Sequence, residues 1–179
     1  MWLPFVTAAL GAFFGSVGGF TSSLYLARRA DRQSTTNHLM TEFLSVAFLA
    51  HRIALEHLRA RMSDGDVTAE QVAGGFWYPG DRDYYRGELE GELNTHQHLT
   101  MYIGFLVRMA DAIQRRRIDV DAIRAGIGAQ LRWCDALVLE VAAQTQQQAT
   151  ENDAPFPTWV TAVRLVHDEL VDDFPDGRR

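Results

Sequence analysis

The stretch WLPFVTAALGAFFGSVGGFTSSLYLA, residues 2–27, holds 26 consecutive positions without an Asp, Glu, Lys, Arg or His. As a helix rising about 1.5 Å per residue it would be ~39 Å long, enough to cross a hydrocarbon core of about 30 Å with some tilt. Trp2 and Tyr25 stand near its two ends, where amphipathic rings settle at membrane interfaces. A cleaved signal peptide would need a basic start and a small-x-small cleavage site. Neither is present: the run closes on Leu24-Tyr25-Leu26-Ala27. The stretch is also long for a buried core helix. It reads as a single retained transmembrane helix in contact with the lipid bilayer.

Arg28, Arg29 and Arg32 follow this span closely, and no basic side chain precedes it. The positive-inside rule then puts the N-terminus outside and residues 33–174 in the cytoplasm. One cysteine, Cys134, suits a reducing compartment. All 17 basic residues are arginine, and Ala, Gly and Asp abound. That composition points to a GC-rich, bacterial coding sequence, hence to the inner membrane. From residue 33 onward 14 Arg face 22 acidic residues, a formal charge of −8. An extended nucleic-acid surface normally shows the opposite balance.

Inside the span, Gly11, Gly15 and Gly19 recur at every fourth position, and Ala8, Gly11, Gly15, Gly18 and Ser22 follow a three-four spacing. Helices in lipid associate where small side chains let their backbones approach. Ala8, Gly11, Gly15, Gly18, Gly19 and Ser22 are therefore the expected face of a homo-oligomer. Tight packing there gives a dimer or bundle, and a wider ring gives a narrow pore.

Behind the span no segment alternates with period two, so the expectation is all-α: a single transmembrane helix followed by a four-helix-bundle-like cytoplasmic domain. A helix is expected from Thr35 to Met62, with Met40, Phe43, Ala47, Ala50 and Ala54 on one stripe, widened by Leu39, Val46, Ile53 and Leu58. Thr68-Ala69-Glu70-Gln71 has the capping-box form and opens a short helix that Gly74-Gly75 should stop. After the aromatic turn at residues 76–80, Asp81 should cap a long helix to Arg116, with Leu99, Tyr102, Leu106 and Met109 on its apolar face. Asp119 or Asp121 starts another, to Gln148, facing inward with Ile123, Ile127, Leu131 and Val138. Pro155 and Pro157 precede a last helix carrying Trp159, Val163, Val166 and Leu170. No second domain and no internal repeat is apparent.

Few residues suggest chemistry. Arg52 and His57 have the Arg-x4-His spacing found in HEPN ribonucleases, where arginine stabilises a phosphate and histidine handles the proton of a 2′-hydroxyl. Arg32 and His38 give a second match, and two is about what 6 histidines among 17 arginines produce by chance. Glu88, Glu92 and His96 share a helical face with His98 nearby, but the Glu-x-x-His pairs of a di-metal bundle are missing. Neither a metal nor a cofactor is expected, and there is no phosphate-binding loop or nucleophile elbow.

The span, the Arg stop, Leu93-Asn94, Ile118-Asp119, Trp133, and Trp159 ahead of Arg164 together resemble a bacterial family of domains of unknown function. That family joins one N-terminal span to a helical cytoplasmic domain. The layout is also similar to the membrane accessory proteins of type VI-B CRISPR systems, which have a HEPN-like bundle and assemble into a ring-shaped pore. The small-residue face, joined to a domain without a recognisable active site, leads to the expectation of a non-enzymatic, self-associating membrane protein whose cytoplasmic bundle recruits a protein partner or controls a pore, in keeping with a role in stress or phage defence. The alternatives are a membrane-tethered, metal-independent ribonuclease using Arg52 and His57, and a passive tether for a larger complex.

Overall fold

A computed structural model describes residues 3–77 and 93–171, with side chains of the first helix described from Ser22 onward. The regular elements among the described residues are all α-helices, as the periodicity predicts: α1 (Leu3–Leu44), α2 (Val46–Ser63), α3 (Ala69–Trp77), α4 (Thr95–Gln114), α5 (Val120–Glu151) and α6 (Thr158–Leu170). Helix α4 lies between α2 and α6, and α5 packs on α6, on α3 and more lightly on α1 and α2. Among the described residues no helix is long and apolar enough to cross a membrane. Of the stretch read as a span, residues 2–27, only the α1 backbone and the side chains of residues 22–27 fall within them.

The expected helix from Thr35 to Met62 is two helices. Ser45 is extended (φ −67°, ψ 153°), and its hydroxyl accepts the Phe48 amide at 3.1 Å, so α2 starts afresh with its own cap. The interruption advances the buried stripe by one position. Leu39 and Phe43 are buried in α1, but Phe48, Leu55 and Leu58 follow them, while Ala47 and Ala50 turn outward. Val46 is 86% exposed and Ile53 48%. Both were expected inside on an unbroken helical period.

Phe43, Phe48, Tyr102 and Phe105 knit α1, α2 and α4 together, with ring centroids 4.8–5.7 Å apart. Tilted contacts of this kind add about 0.5–1.5 kcal/mol per pair beyond burial. Leu99, Tyr102, Leu106 and Met109 are buried on α4, and Ile123, Ile127, Leu131 and Val138 on α5, as their spacing requires.

The caps are mostly where the sequence puts them. Thr68 and Gln71 exchange both bonds of a capping box, at 3.2 and 2.9 Å. Helix α3 nonetheless runs through Gly74 and Gly75 to Trp77. Burial of Val72, Ala73 and Gly75 against the bundle outweighs the helix penalty of about 1 kcal/mol per glycine. Asp119 caps α5 by accepting the Ala122 amide at 3.2 Å. Asn94, expected inside a helix from Asp81, instead caps α4 with Gln97 in a second capping box. The start proposed at Asp81 lies outside the described residues.

Candidate docking groove between α2 and α5

Besides the packing of Leu39 and Phe43, polar contacts tie helix α1 to the turn before α5. The Arg32 Nε donates to the Ile118 carbonyl at 2.7 Å. One turn later the buried Thr36 hydroxyl donates to the Arg32 carbonyl and accepts the Asp119 amide, both at 2.8 Å. Arg117 adds an exposed ion pair to Asp31 at 3.3 Å. Ile118-Asp119 is thus the seat on which α1 rests: Ile118 is buried, its carbonyl and the next amide hold α1, and the Asp119 side chain caps α5. N-terminal to this seat, residues 22–30 of α1 are exposed, Arg28 and Arg29 among them.

On another face, α2 and α5 diverge and leave an open groove. Its sections measure about 400 Å³ around Arg52, Ile53 and Trp133, about 520 Å³ around Glu56, Arg59 and Arg132, and about 370 Å³ around Met62, Ala136 and Glu140. Small Ala60 and Ala129 face the space between the helices. The α2 wall carries Leu49 and Ile53 one turn apart, with Leu49 42% exposed. Trp133 forms the opposite wall at 59% exposure. Its ring lies 5.9 Å from the Arg59 guanidinium, whose Nη1 also donates to the Trp133 carbonyl at 3.2 Å. This link orients the indole while leaving much of it in solvent.

The floor offers no activated nucleophile. Burial pushes the Cys134 thiol up, against the lesser pull of its hydrogen bond with Tyr102 and of the Arg52 charge. Burial likewise holds the Tyr102 phenol well above its ordinary value, reinforced by Cys134. Reactive cysteines are the opposite, depressed and accessible.

The residues proposed for ribonuclease chemistry are not brought together. Arg52 is half-buried, its guanidinium 4.9 Å from the Phe43 ring centre. His57 is exposed, and five helical steps put it about 140° around α2 from Arg52. In the second match Arg32 is engaged with Ile118, while His38 is exposed. Glu88 and Glu92 lie outside the described residues. His96 is buried against Phe76, which also stacks on Trp159. Among the described residues no group of three or more His, Cys, Asp or Glu side chains is placed to hold a metal. Of the proposed association face, Ala8, Gly11, Gly15, Gly18 and Gly19 lie in the continuous α1 backbone with side-chain surroundings outside the described residues, and Ser22 is exposed.

Two further polar pairs escaped the sequence reading. His51 Nδ1 and His98 Nδ1 meet at 2.8 Å between α2 and α4, with His51 edge-on to Phe48. Burial, and then the neighbouring His98, lowers the His51 pKa from 6.5. His167 Nδ1 lies 2.8 Å from Asp135, joining α6 to α5. No spacing rule links residues 47 or 32 positions apart, so only the packed helices reveal these pairs. No protein-family model, curated protein or solved structure matches the chain.

Proposed function

We propose that the chain is a self-associating, single-span protein of a bacterial inner membrane, with its N-terminus outside and a non-enzymatic cytoplasmic bundle that recruits a protein partner. The observation that carries this is the unbroken course of α1, Leu3–Leu44, out of the uncharged stretch and into the bundle. At about 1.5 Å per residue it is ~63 Å long. Asp31 and Arg32 tie it to the turn before α5, and the side chains of residues 22–30 ahead of them are exposed. Leu24, Tyr25 and Leu26 are 44%, 66% and 61% exposed there, as suits a helix whose solvent is lipid and interface. The small-residue face supplies the self-association. The open α2–α5 groove supplies the recruiting surface, and a helix continuous from span to bundle fixes that groove relative to the membrane.

Fractionation of cells expressing the full chain tests the reading. The protein is expected in the membrane pellet after an alkaline carbonate wash. In inverted vesicles its bundle should be open to added protease, and in intact spheroplasts protected. Release by carbonate would overturn the span, and cleavage in spheroplasts would overturn the orientation.

A further inference from the structure

The turn between α4 and α5 carries Arg115-Arg116-Arg117, and the fold brings it against α1, 86 positions earlier in the chain. Arg117 grips Asp31 with two contacts, Nε to Oδ2 and Nη2 to Oδ1, both at 3.3 Å, and Arg32 holds the neighbouring Ile118 carbonyl. Arg28 precedes Asp31 and Arg32 by three and four residues, and Arg29 precedes Arg32 by three. Both therefore stand one helical turn nearer the span, on the face of α1 that meets the turn.

Six arginines thus gather where α1 joins the turn, against Asp31, Asp111 and Asp119, in a chain whose formal charge is −6. The three acids are engaged: Asp31 by Arg117, Asp111 by Arg115 at 2.7 Å, and Asp119 by the Ala122 amide. The next acids, Asp121 and Glu169, lie at Arg124, which pairs with the first and takes the backbone carbonyl of the second. Among the described residues Arg28, Arg29 and Arg116 have no ion-pair partner, and all three are exposed. Arg32 has only a carbonyl for its charge.

Arg116 carries a second sign. It sits at φ 54°, with its own amide on the Ile113 carbonyl at 2.9 Å and the Arg117 amide on the Ala112 carbonyl at 2.8 Å. In this helix-closing turn the left-handed position is ordinarily glycine. A long side chain there costs conformational energy that glycine does not, and no side-chain hydrogen bond or ion pair among the described residues offsets it.

Depth identifies what the cluster faces. Asp31 lies four residues beyond Ala27, where the uncharged run ends, and six beyond Tyr25. Along a helix axis this is about 6–9 Å, and the headgroup layer of one leaflet is about 5–7 Å thick. The contact with Asp31 therefore holds the arginine turn at the outer part of the headgroups, within reach of long cationic side chains. A group of about four to eight basic side chains beside a span is the electrostatic footprint of anionic lipid.

We propose that this cluster binds the phosphate headgroups of anionic phospholipids, with Arg116 reaching them from the α4–α5 turn beside Arg28 and Arg29 of α1. This rests on the membrane reading and adds to it a second, sequence-distant hold on the bilayer, which sets the bundle's orientation to the membrane surface.

The test uses the full chain in mild detergent, titrated with phosphatidylglycerol or phosphatidylcholine and followed by native mass spectrometry, and the same chain in nanodiscs of each lipid. Phosphatidylglycerol is expected to bind tighter by about fivefold or more, and in the discs to slow hydrogen exchange across residues 114–118, an effect that high salt removes. Arg116→Gly should lower the preference roughly fivefold, the worth of one basic side chain near an anionic surface. Its melting temperature should stay level or rise, because glycine suits the left-handed turn. Arg116→Lys, which keeps the charge, should retain most of the preference. Equal affinity for the two lipids would overturn the proposal. A preference that survives Arg116→Gly would also overturn it, by assigning the lipid to α1 alone. Displacement of the lipid by inorganic phosphate at equal concentration would overturn it in favour of a free anion, and tighter Arg116-dependent binding of an oligouridylate in favour of RNA. Incorporation into the phosphatidylcholine discs is measured first. A chain that incorporates there but shows no lipid preference defeats this inference alone. One that enters neither disc defeats the membrane reading, and co-sedimentation with phosphatidylglycerol vesicles then decides the cluster's role: Arg116-dependent pelleting upholds it, and its absence overturns it.

Discussion

Replacing Thr36 with valine probes the joint between α1 and the bundle. Thr36 is 3% exposed, and its hydroxyl both donates to the Arg32 carbonyl and accepts the Asp119 amide. Valine keeps the shape and β-branching, so helix propensity and packing change little. What it removes is the acceptor for a part-buried amide at the cap of α5. An unsatisfied group of that kind costs about 1–3 kcal/mol. In a domain of this size each kcal/mol moves Tm by about 2–4 °C, so Thr36→Val should melt roughly 2–12 °C lower. Thr36→Ser keeps the hydroxyl and should recover most of the loss. The assay is thermal unfolding of the full chain in mild detergent by circular dichroism, with hydrogen exchange at Asp119 read by mass spectrometry. Exchange should quicken there while the distant α3 segment is unchanged. A melting temperature within 1 °C of the parent, with Asp119 equally protected, would refute the reasoning.

The His51–His98 contact predicts a sign for pH dependence. Because burial and His98 lower the folded pKa of His51, the unfolded chain binds more protons. The stabilisation is present above pH 6.5 and is lost as pH falls below that value and through the folded pKa. The urea midpoint should therefore drop more between pH 7.5 and 5.0 in the parent than in His51→Gln, and an equal drop would contradict the assignment. Phe105→Ala removes a fully buried ring 4.8 Å from Phe48 and 5.4 Å from Phe43. It should cost about 3–5 kcal/mol in urea unfolding, and a cost below 1 would place that cluster outside the core. Ile53→Asp, at a half-exposed site, should change stability by less than about 0.5 kcal/mol. A larger loss in the same assay would mean that Ile53 packs inside the fold.

Residues with strong local signals were legible. The Thr68–Gln71 box, the Asp119 cap and the apolar faces of α4, α5 and α6 are all where periodicity and capping chemistry put them. The misreadings arise where tertiary packing decides. Ser45 lacks the glutamate or glutamine that marks a capping box, so its break left no clear trace and the outward turn of Ile53 went unseen. Gly74-Gly75 looks like a stop only until burial against α5 is counted. The groove shows the same limit. Trp133 was visible only as a landmark of a resemblance, because its neighbours Leu49, Ile53 and Arg59 lie more than 70 positions away in the chain. Arg32 was read as a membrane-flanking charge. The structure gives it a further task, holding the Ile118 carbonyl, which no hydropathy profile encodes.

The central claim is that the uncharged face of α1 joins copies of this chain. It is tested most directly by the native mass of the full-length protein in mild detergent, taken by light scattering with the detergent contribution subtracted, beside that of Gly15→Leu. A defined oligomer that Gly15→Leu reduces to a monomer is the expected result. A parent chain that is already monomeric, or an oligomer indifferent to leucine at position 15, would contradict the account.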